Sequence, residues 1–221
     1  MEQQVDSLQK NPLPVIILCG GRSRRMGTDK TRLPLGSGTV LSHIEDTFST
    51  IATHQIIVIG RDMQQPRSRR TPLIVRDEHL DLGPMEGLRV GLTQCKKLGA
   101  AMVMVTTGDA PVVSIPLYQF MVDSLVRDKK LQGVVPWVDD TWHPLTAVYR
   151  TDVLAWVTQR IEQQAFRVKD IADSFPVLKL TRDMMESFDP GLQSIRNINT
   201  RDQYLQLRSE IESSGEPGLT S

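Results

Sequence analysis

The chain has 221 residues, of which 39% are hydrophobic and 24% are charged, and its formal net charge at pH 7 is zero. These values predict one globular domain with a full core and argue against a nucleic-acid-binding protein. No apolar run approaches the roughly 18 residues that a membrane span requires. The two cysteines, Cys19 and Cys95, form neither a C-x-x-C pair nor a zinc-binding spacing, which favours a reducing compartment.

Short apolar strands alternate with helical patterns through the first part of the chain. Strands are predicted at Val15–Cys19, Gln55–Ile59, Leu73–Val75, Ala101–Thr106 and Gly133–Pro136. Helices are predicted at Thr39–Ala52, Met85–Leu98 and Ser114–Arg127. This alternation predicts an α/β fold: a single three-layer α/β/α domain with a mostly parallel, Rossmann-like sheet.

The second half of the chain is less regular. A strand returning along the sheet is predicted over Trp142–Arg150, followed by a helix over Thr151–Gln164 and a short helix over Phe166–Asp173. A strand over Val177–Leu180 and a terminal helix over Thr200–Ser213 complete the pattern.

The polar ends of the chain set the predicted domain limits. The domain is predicted to span residues 13–212, with flexible segments at 1–12 and 213–221. Residues 1–12 lack the charged-then-apolar order of a secretory signal, so we expect a cytoplasmic protein.

The segment from Val15 to Leu33 (VIILCGGRSRRMGTDKTRL) carries the strongest functional signal. An apolar strand ends in Gly20 and Gly21, and five cations with a single acid follow between residues 22 and 32. Glycine permits close backbone approach to a ligand, and Arg and Lys supply the charge that phosphate oxygens need. At the carboxyl end of a strand, this loop predicts a site for a nucleoside triphosphate.

The loop has neither the Walker spacing nor the dinucleotide-binding G-x-G-x-x-G spacing. A glycine turn followed by a solvated basic loop is the structural alternative. A plain turn and basic loop do not need the full string L-x-G-G-x-S-x-R-M-G-x-D-K, which is a much rarer pattern. Its presence therefore favours the triphosphate site.

These residues resemble the MobA-like nucleotidyltransferases, and most closely the molybdenum cofactor guanylyltransferases. Further segments agree in order: DEHLDLGPMEG (77–87), TGDAP (107–111), NINTRDQY (197–204) and, more weakly, HPLTAVY (143–149). The resemblance implies a fold of the nucleotide-diphospho-sugar transferase type. It also implies a Mg²⁺-dependent enzyme that transfers GMP from GTP to the phosphate of molybdenum-molybdopterin, releases pyrophosphate, and makes transient contact with molybdenum cofactor proteins.

The catalytic residues are predicted to be Arg25, Lys30 and Asp109. Transfer between two phosphates depends on positioning and charge neutralisation, so it needs cations and a carboxylate that holds Mg²⁺. By resemblance, Lys30 contacts the triphosphate and Arg25, before Met-Gly, neutralises the leaving pyrophosphate. We expect Asp29 to pair with a neighbouring cation rather than with the metal.

Asp109 is the predicted metal ligand. It follows an apolar strand, so its carboxylate reaches the carboxyl edge of the sheet, and Mg²⁺ is commonly held by one or two carboxylates plus substrate phosphates. An aspartate in a plain surface turn is the alternative.

The remaining candidates are predicted to bind the nucleotide or the acceptor. The nucleotide set is Leu18, Cys19, Gly20, Gly21, Lys30, Asp77, Gly83 and Asp109. The acceptor set is Asn197, Asn199 and His143. A plain helix start explains Pro84 without Asp77. The alternative for Asn199 is that Asn199 or Thr200 caps the terminal helix, and the alternative for His143 is a structural role.

Three residues depart from the family pattern. Cys19 replaces Ala, Gly108 replaces a Cys or another residue, and Glu86 replaces a small residue. A carboxylate at position 86 would repel a triphosphate unless it is paired or turned away. The loop after Ile59 also lacks the Asn typical of guanylyltransferases, so the base preference between GTP and CTP stays open. Two further alternatives also stay open: a transferase with a sugar or alditol phosphate acceptor, and a non-catalytic nucleotide-binding homologue.

Overall fold

The computed structural model describes residues 13–20, 29–66, 68 and 70–213. The strands are β1 (Pro14–Cys19), β2 (Pro34–Leu35), β3 (Gly38–Thr39), β4 (His54–Ile59), β5 (Leu73–Arg76), β6 (Met102–Thr107), β7 (Gly133–Val138), β8 (Thr141–Trp142), β9 (Ala147–Arg150) and β10 (Val177–Leu180). The α-helices are α1 (Val40–Phe48), α2 (Pro84–Lys97), α3 (Ile115–Arg127), α4 (Val153–Glu162), α5 (Ile171–Ser174), α6 (Arg182–Glu186) and α7 (Arg201–Ser213). Within these described ranges, no helix combines the length and the apolar character needed to cross a membrane.

The central sheet is mostly parallel, as predicted. Its strand order is β10-β7-β9-β6-β1-β4-β5, with β8 paired to β7. The β1–β4, β1–β6, β4–β5 and β7–β10 pairs are parallel, whereas β9 is antiparallel to both β6 and β7. The carboxyl ends of β1, β4, β5, β6, β7 and β10 therefore lie at one edge of the sheet.

Helices cover both faces of the sheet, which gives the predicted three layers. All six residues of β1 are buried, because successive side chains point to opposite faces and both faces are packed. Val15 and Ile17 pack in the core with α1, α3 and α7, whereas Ile16 and Leu18 pack with α2 and α4.

Glycines in α2 bring this helix close to β1. A Cβ atom at Gly91 would lie 2.8 Å from Ile16 Cδ1, and one at Gly87 would lie 3.0 Å from Leu18 Cδ2. The helix begins at Pro84, which follows Gly83 in a left-handed conformation with φ 63°. The N-terminus of α2 is thereby placed at the carboxyl edge of the sheet.

The predicted strand that returns along the sheet is confirmed as β9, which runs antiparallel to β6 and β7, but the predicted bounds, Trp142–Arg150, are wrong. The segment forms the end of β8, a turn at residues 143–146, and then β9. His143 N–H donates to the Pro136 carbonyl at 2.9 Å and Thr146 N–H donates to the His143 carbonyl at 3.1 Å, while Pro144 has no N–H to donate to a ladder. The turn directs β9 back between β6 and β7.

Other elements in the described part of the chain escaped the sequence analysis or differ from it. The hairpin of β2 and β3, helix α6 and a 3₁₀ helix at Pro190–Ile195 were not predicted. The short helix predicted at Phe166–Asp173 is a 3₁₀ turn at Val168–Asp170 that continues into α5. These pieces are two to six residues long, too short for hydrophobic periodicity to reveal.

Candidate active site

A cleft of about 760 Å³ opens at the carboxyl edge of the sheet. It is lined by eight of the residues predicted from the sequence: Leu18, Cys19, Gly20, Lys30, Asp77, Gly83, Asp109 and Asn197. The volume lies within the range of small-molecule sites. Gly21 and Arg25 lie outside the described residues.

Lys30 and Asp109 form an ion pair in this cleft. Lys30 Nζ lies 3.3 Å from Asp109 Oδ2, and the two side chains are 16% and 27% exposed. Lys30 begins a 3₁₀ helix at Lys30–Arg32, whose N-cap is Asp29: the Asp29 carboxylate accepts hydrogen bonds from Thr31 N–H at 3.0 Å and Thr31 Oγ1 at 2.6 Å. Asp29 also pairs with Arg32 at 3.4 Å, which confirms the expectation that it binds a neighbouring cation.

Residues 197–199 dock against this pair. Lys30 Nζ also donates to Asn199 Oδ1 at 3.0 Å, and Ile198 N–H donates to the Asp109 carbonyl at 2.8 Å. Ile198 is buried whereas Asn197 and Asn199 are exposed, as the predicted alternation requires. Asn197 lines the cleft, and Asn199 holds the Lys30 amine.

The cap of the terminal helix falls to Thr200 rather than to Asn199. Thr200 Oγ1 accepts a hydrogen bond from Gln203 N–H at 3.2 Å, and Gln203 Oε1 accepts one from Thr200 N–H at 3.0 Å. This reciprocal pattern is a capping box, and it leaves the Asn199 side chain available to Lys30.

The charge of the described lining bears on metal binding. Five of the described lining residues are aspartates, at positions 29, 62, 77, 81 and 109, against two side chains of fixed positive charge, Lys30 and Arg61. Asp109 Oδ1 accepts no hydrogen bond from the described residues. A carboxylate oxygen in a cleft lined by several acids is a ligand type that fits Mg²⁺.

Asp77 lies in the same cleft and differs from Asp109 in its surroundings. Its Oδ1 is buried and has no hydrogen-bond partner among the described residues. Burial, together with the nearby charge of Glu86, raises the Asp77 pKa to about 6, although Arg89 partly offsets this effect. A buried acceptor without a donor is uncommon in native proteins and is typical of binding sites.

The two aspartates follow strands that are three neighbours apart. Asp109 follows β6 and Asp77 follows β5, with β1 and β4 between them. At an inter-strand spacing of about 4.8 Å, the strand ends lie roughly 14 Å apart. That span is compatible with a ligand as long as a nucleoside triphosphate.

Glu86 is turned away from the cleft. The residue is fully buried, and its carboxylate accepts hydrogen bonds from Arg89 Nε at 2.9 Å, Arg89 NH2 at 2.9 Å and the backbone N–H groups of Glu78 and His79, each at 3.1 Å. Burial alone would raise the Glu86 pKa, but the hydrogen bonds from Arg89 and His79 outweigh it and lower the pKa to about 2. Repulsion of a triphosphate by Glu86 is therefore offset within the protein.

Cys19 packs against Gly108, the residue before Asp109, in the wall of the cleft. A Cβ atom at Gly108 would lie 2.7 Å from Cys19 Sγ, so the sulfur fills the space that a side chain at position 108 would need. Cys19 is buried, and burial raises the pKa of its thiol well above the usual value, as expected of a packing residue. The two departures from the family pattern thus compensate each other sterically.

His143, a predicted acceptor residue, does not line the cleft; Leu145 of the same segment does. His143 is partly buried, and its pKa is lowered by burial and then by the charge of Lys169. The sequence analysis missed His79, Arg61 and Asp62, which all line the cleft. The only available signal for His79 was its place two residues after Asp77, since its partner Glu86 lies across a turn.

Known proteins resemble this chain in sequence. A family model described as the MobA-like NTP transferase domain matches residues 15–173. A probable molybdenum cofactor guanylyltransferase of Natranaerobius thermophilus is 29% identical over 198 residues, covering 89% of this chain and 95% of the relative. One of the same description from Mycolicibacterium paratuberculosis is 30% identical over 197 residues, covering 88% and 93%.

A solved structure shares the fold. Molybdopterin-guanine dinucleotide biosynthesis protein A of Archaeoglobus fulgidus superposes with a TM-score of 0.74 at 22% identity, covering 91% of this chain and 100% of the other. This likeness extends over nearly the whole described chain and supports the predicted fold type.

Proposed function

The chain belongs to the MobA-like NTP transferase family, and from this premise we propose that it is a molybdenum cofactor guanylyltransferase. It transfers GMP from GTP to the terminal phosphate of molybdenum-molybdopterin and releases pyrophosphate. The proposal is supported by the relatives of that description, which match most of the chain at 29–30% identity.

The observation that carries the proposal is the placement of Lys30 and Asp109 at one end of the cleft and Asp77 at the other. The first pair provides an ammonium for phosphate oxygens and a carboxylate oxygen for a metal ion. The other end provides the Asp77 carboxylate, which lines the cleft, as a hydrogen-bond acceptor for a base. Guanine suits that acceptor because its N1–H and 2-amino groups are donors.

The reaction is a phosphoryl-centred substitution. A phosphate oxygen of the acceptor attacks the α-phosphorus of GTP, a new P–O bond forms, and the bond to pyrophosphate breaks. Lys30 binds and orients the triphosphate, and Asp109, whose Oδ2 orients Lys30, would hold Mg²⁺. Magnesium, when bound, neutralises charge on the phosphate oxygens.

Asn199 and Asn197 support the two substrates. Asn199 accepts a hydrogen bond from the Lys30 amine in addition to the one accepted by Asp109, which limits the motion of the amine. Asn197 lines the same cleft, and its amide can donate a hydrogen bond to the acceptor phosphate. Both cysteines are buried and unpaired, in keeping with the reducing cytoplasm that the proposal assumes.

The test is pyrophosphate release from GTP, CTP, ATP and UTP in parallel, with and without molybdenum-molybdopterin and with and without Mg²⁺. We expect release only from GTP, and only when both acceptor and Mg²⁺ are present. Preferential turnover of CTP would replace GTP in the proposal. Nucleotide binding without turnover on any phosphate acceptor would show a non-catalytic homologue, a possibility whose only motivation, Glu86, is weakened by the pairing of that residue with Arg89.

A further inference from the structure

His79 is a cleft residue whose side chain is held at one ring nitrogen and open at the other. The side chain is 61% exposed, and Nδ1 lies 3.0 Å from Glu86 Oε1. Nε2 has no hydrogen-bond partner among the described residues. The ring lines the same cleft as Asp77.

Glu86 fixes which nitrogen of the neutral ring carries the proton. The low pKa of Glu86, about 2, keeps its carboxylate ionised at neutral pH, and an ionised carboxylate only accepts hydrogen bonds. Nδ1 must therefore donate to Glu86. In a neutral His79, Nε2 is then the unprotonated nitrogen, a hydrogen-bond acceptor on a residue that lines the cleft.

The backbone around His79 is also fixed by Glu86. Glu86 Oε1 accepts from the N–H groups of Glu78 and His79, and Arg89 bridges Glu86 to the Glu78 carboxylate, with NH2 at 2.5 Å from Glu78 Oε2. The loop after β5 is thereby tied to the first turns of α2. A ring held in this way needs little reorganisation when it binds a ligand.

A metal ion is a poorer occupant for this cluster. The ligand atoms of Glu78, His79 and Glu86 lie within 4.8 Å of one another, which is a possible cation geometry. However, both Glu86 oxygens already receive hydrogen bonds from the Arg89 guanidinium. A cation would have to displace that guanidinium or sit beside its positive charge.

We propose that His79 Nε2, oriented by Glu86, is a specificity-determining acceptor for the 2-amino group of guanine, while the Asp77 carboxylate accepts from guanine N1–H. This inference rests on the proposed function. Two acceptors that line one cleft match the two donors of this edge of guanine. Adenine and cytosine each place an acceptor nitrogen beside their amino group, which would face one of these acceptors without a hydrogen bond.

The experiment measures equilibrium binding of GTP and ITP, which lacks only the 2-amino group, in the presence of Mg²⁺. The variants are His79→Phe, which keeps a ring without the acceptor, and His79→Gln, which keeps an acceptor oxygen. His54→Phe is the matched control, because His54 is an exposed histidine outside the cleft. Thermal unfolding of each variant establishes that it is folded.

The wild type and His54→Phe are expected to bind GTP about tenfold or more tightly than ITP, since a missing donor leaves a site acceptor unpaired. In His79→Phe the GTP affinity falls while the ITP affinity is nearly unchanged, so the ratio approaches one. His79→Gln retains part of the ratio. Glu86→Gln, which removes the charge that fixes the ring, reduces it as well.

Two results would overturn the inference and can be told apart. If the wild type turns over GTP but His79→Phe keeps the full GTP/ITP ratio, the role of His79 is wrong and the proposed function stands. If the wild type prefers CTP or ATP to GTP, or binds no nucleotide, the proposed function fails and the guanine-reading role fails with it.

Discussion

The carboxylates at the two ends of the cleft, Asp109 and Asp77, lie in different environments. Asp109 is partly exposed and paired with Lys30 at 3.3 Å, whereas Asp77 holds a buried oxygen without a donor and lies near a second acid, Glu86. One sheet edge thus holds two carboxylates in different electrostatic environments, and the proposed function assigns the phosphates to the Lys30–Asp109 end and the base to the Asp77 end.

The largest expected effect comes from breaking the Lys30–Asp109 end. Asp109→Asn keeps the size of the side chain but removes the charge for Mg²⁺, and Lys30→Met removes the ammonium. We expect each to lower the rate of pyrophosphate release about 100- to 1,000-fold, the cost of losing a positioned charge in phosphoryl transfer. The steady-state rate with saturating GTP and acceptor measures this.

Asp123→Asn serves as the control for these variants, because Asp123 lies on α3 and pairs with Arg127 at 4.0 Å, away from the cleft. It should retain the wild-type rate. Full activity in Asp109→Asn or Lys30→Met would contradict the assignment of this end.

Asp77→Asn should affect binding and stability in opposite directions. Loss of the acceptor charge weakens GTP binding about 10- to 100-fold, measured by calorimetry. The same change removes a half-buried carboxylate that is costly to ionise, so the free energy of unfolding at pH 8 should rise by about 1 kcal/mol after allowance for solvent screening. Unchanged GTP affinity would place the base elsewhere.

The stability gain should depend on pH. Between the usual pKa of 3.8 and the folded-state value of about 6, the folded protein binds more protons at Asp77 than the unfolded chain does, so this residue lowers stability as pH rises through that window. The advantage of Asp77→Asn over the wild type should therefore be full above pH 7 and vanish near pH 4. Denaturant unfolding of both proteins at several pH values measures it, and a gain that is independent of pH would contradict the raised pKa.

GTP binding by the wild type should weaken in acid for the same reason. Protonation of Asp77, with its pKa of about 6, leaves roughly one tenth of the carboxylate ionised at pH 5. Between pH 7.5 and pH 5, the wild type should lose up to about tenfold more affinity than Asp77→Asn. Parallel pH profiles for the two proteins would argue against an ionised Asp77 at the base.

The smallest expected effect tests the wall that carries Asp109. Gly108→Ala places a methyl group against Cys19 Sγ and should lower the free energy of unfolding by about 1–2 kcal/mol. Cys19→Ala in the same chain removes the sulfur and should restore most of that loss. Additive destabilisation in the double variant would show that the two positions are independent.

Sequence patterns located both ends of the cleft because each candidate follows a strand of a parallel sheet. The positions of Lys30, Asp77 and Asp109 could be predicted without any detail of side-chain packing, because parallel strands have their carboxyl ends at one edge of the sheet. The position of β9 was not predictable in this way. The apolar pattern of a short strand does not indicate the direction of the strand in the sheet. The turn at residues 143–146 makes β9 antiparallel to its neighbours.

The pairing of Asn199 with Lys30 lay beyond the sequence for a related reason. The alternation of Asn197 and Asn199 predicted a shared face, and the burial of Ile198 between them agrees with it. Which amide oxygen reaches the amine depends on the hydrogen bond from Ile198 to Asp109, a contact between segments 89 residues apart in the chain.

The amino-acid sequence by itself determined the alternating fold, the basic character of the first loop and the carboxylates at the strand ends, because these follow from local periodicity and residue chemistry. Only the tertiary structure decided the surroundings of Glu86. A carboxylate at this position would repel a triphosphate if it faced the cleft, yet Glu86 is buried and accepts hydrogen bonds from Arg89, from the backbone and from His79 Nδ1. The free energy of a buried charge depends on the hydrogen-bond donors that folding brings around it, and a local stretch of sequence does not identify those donors.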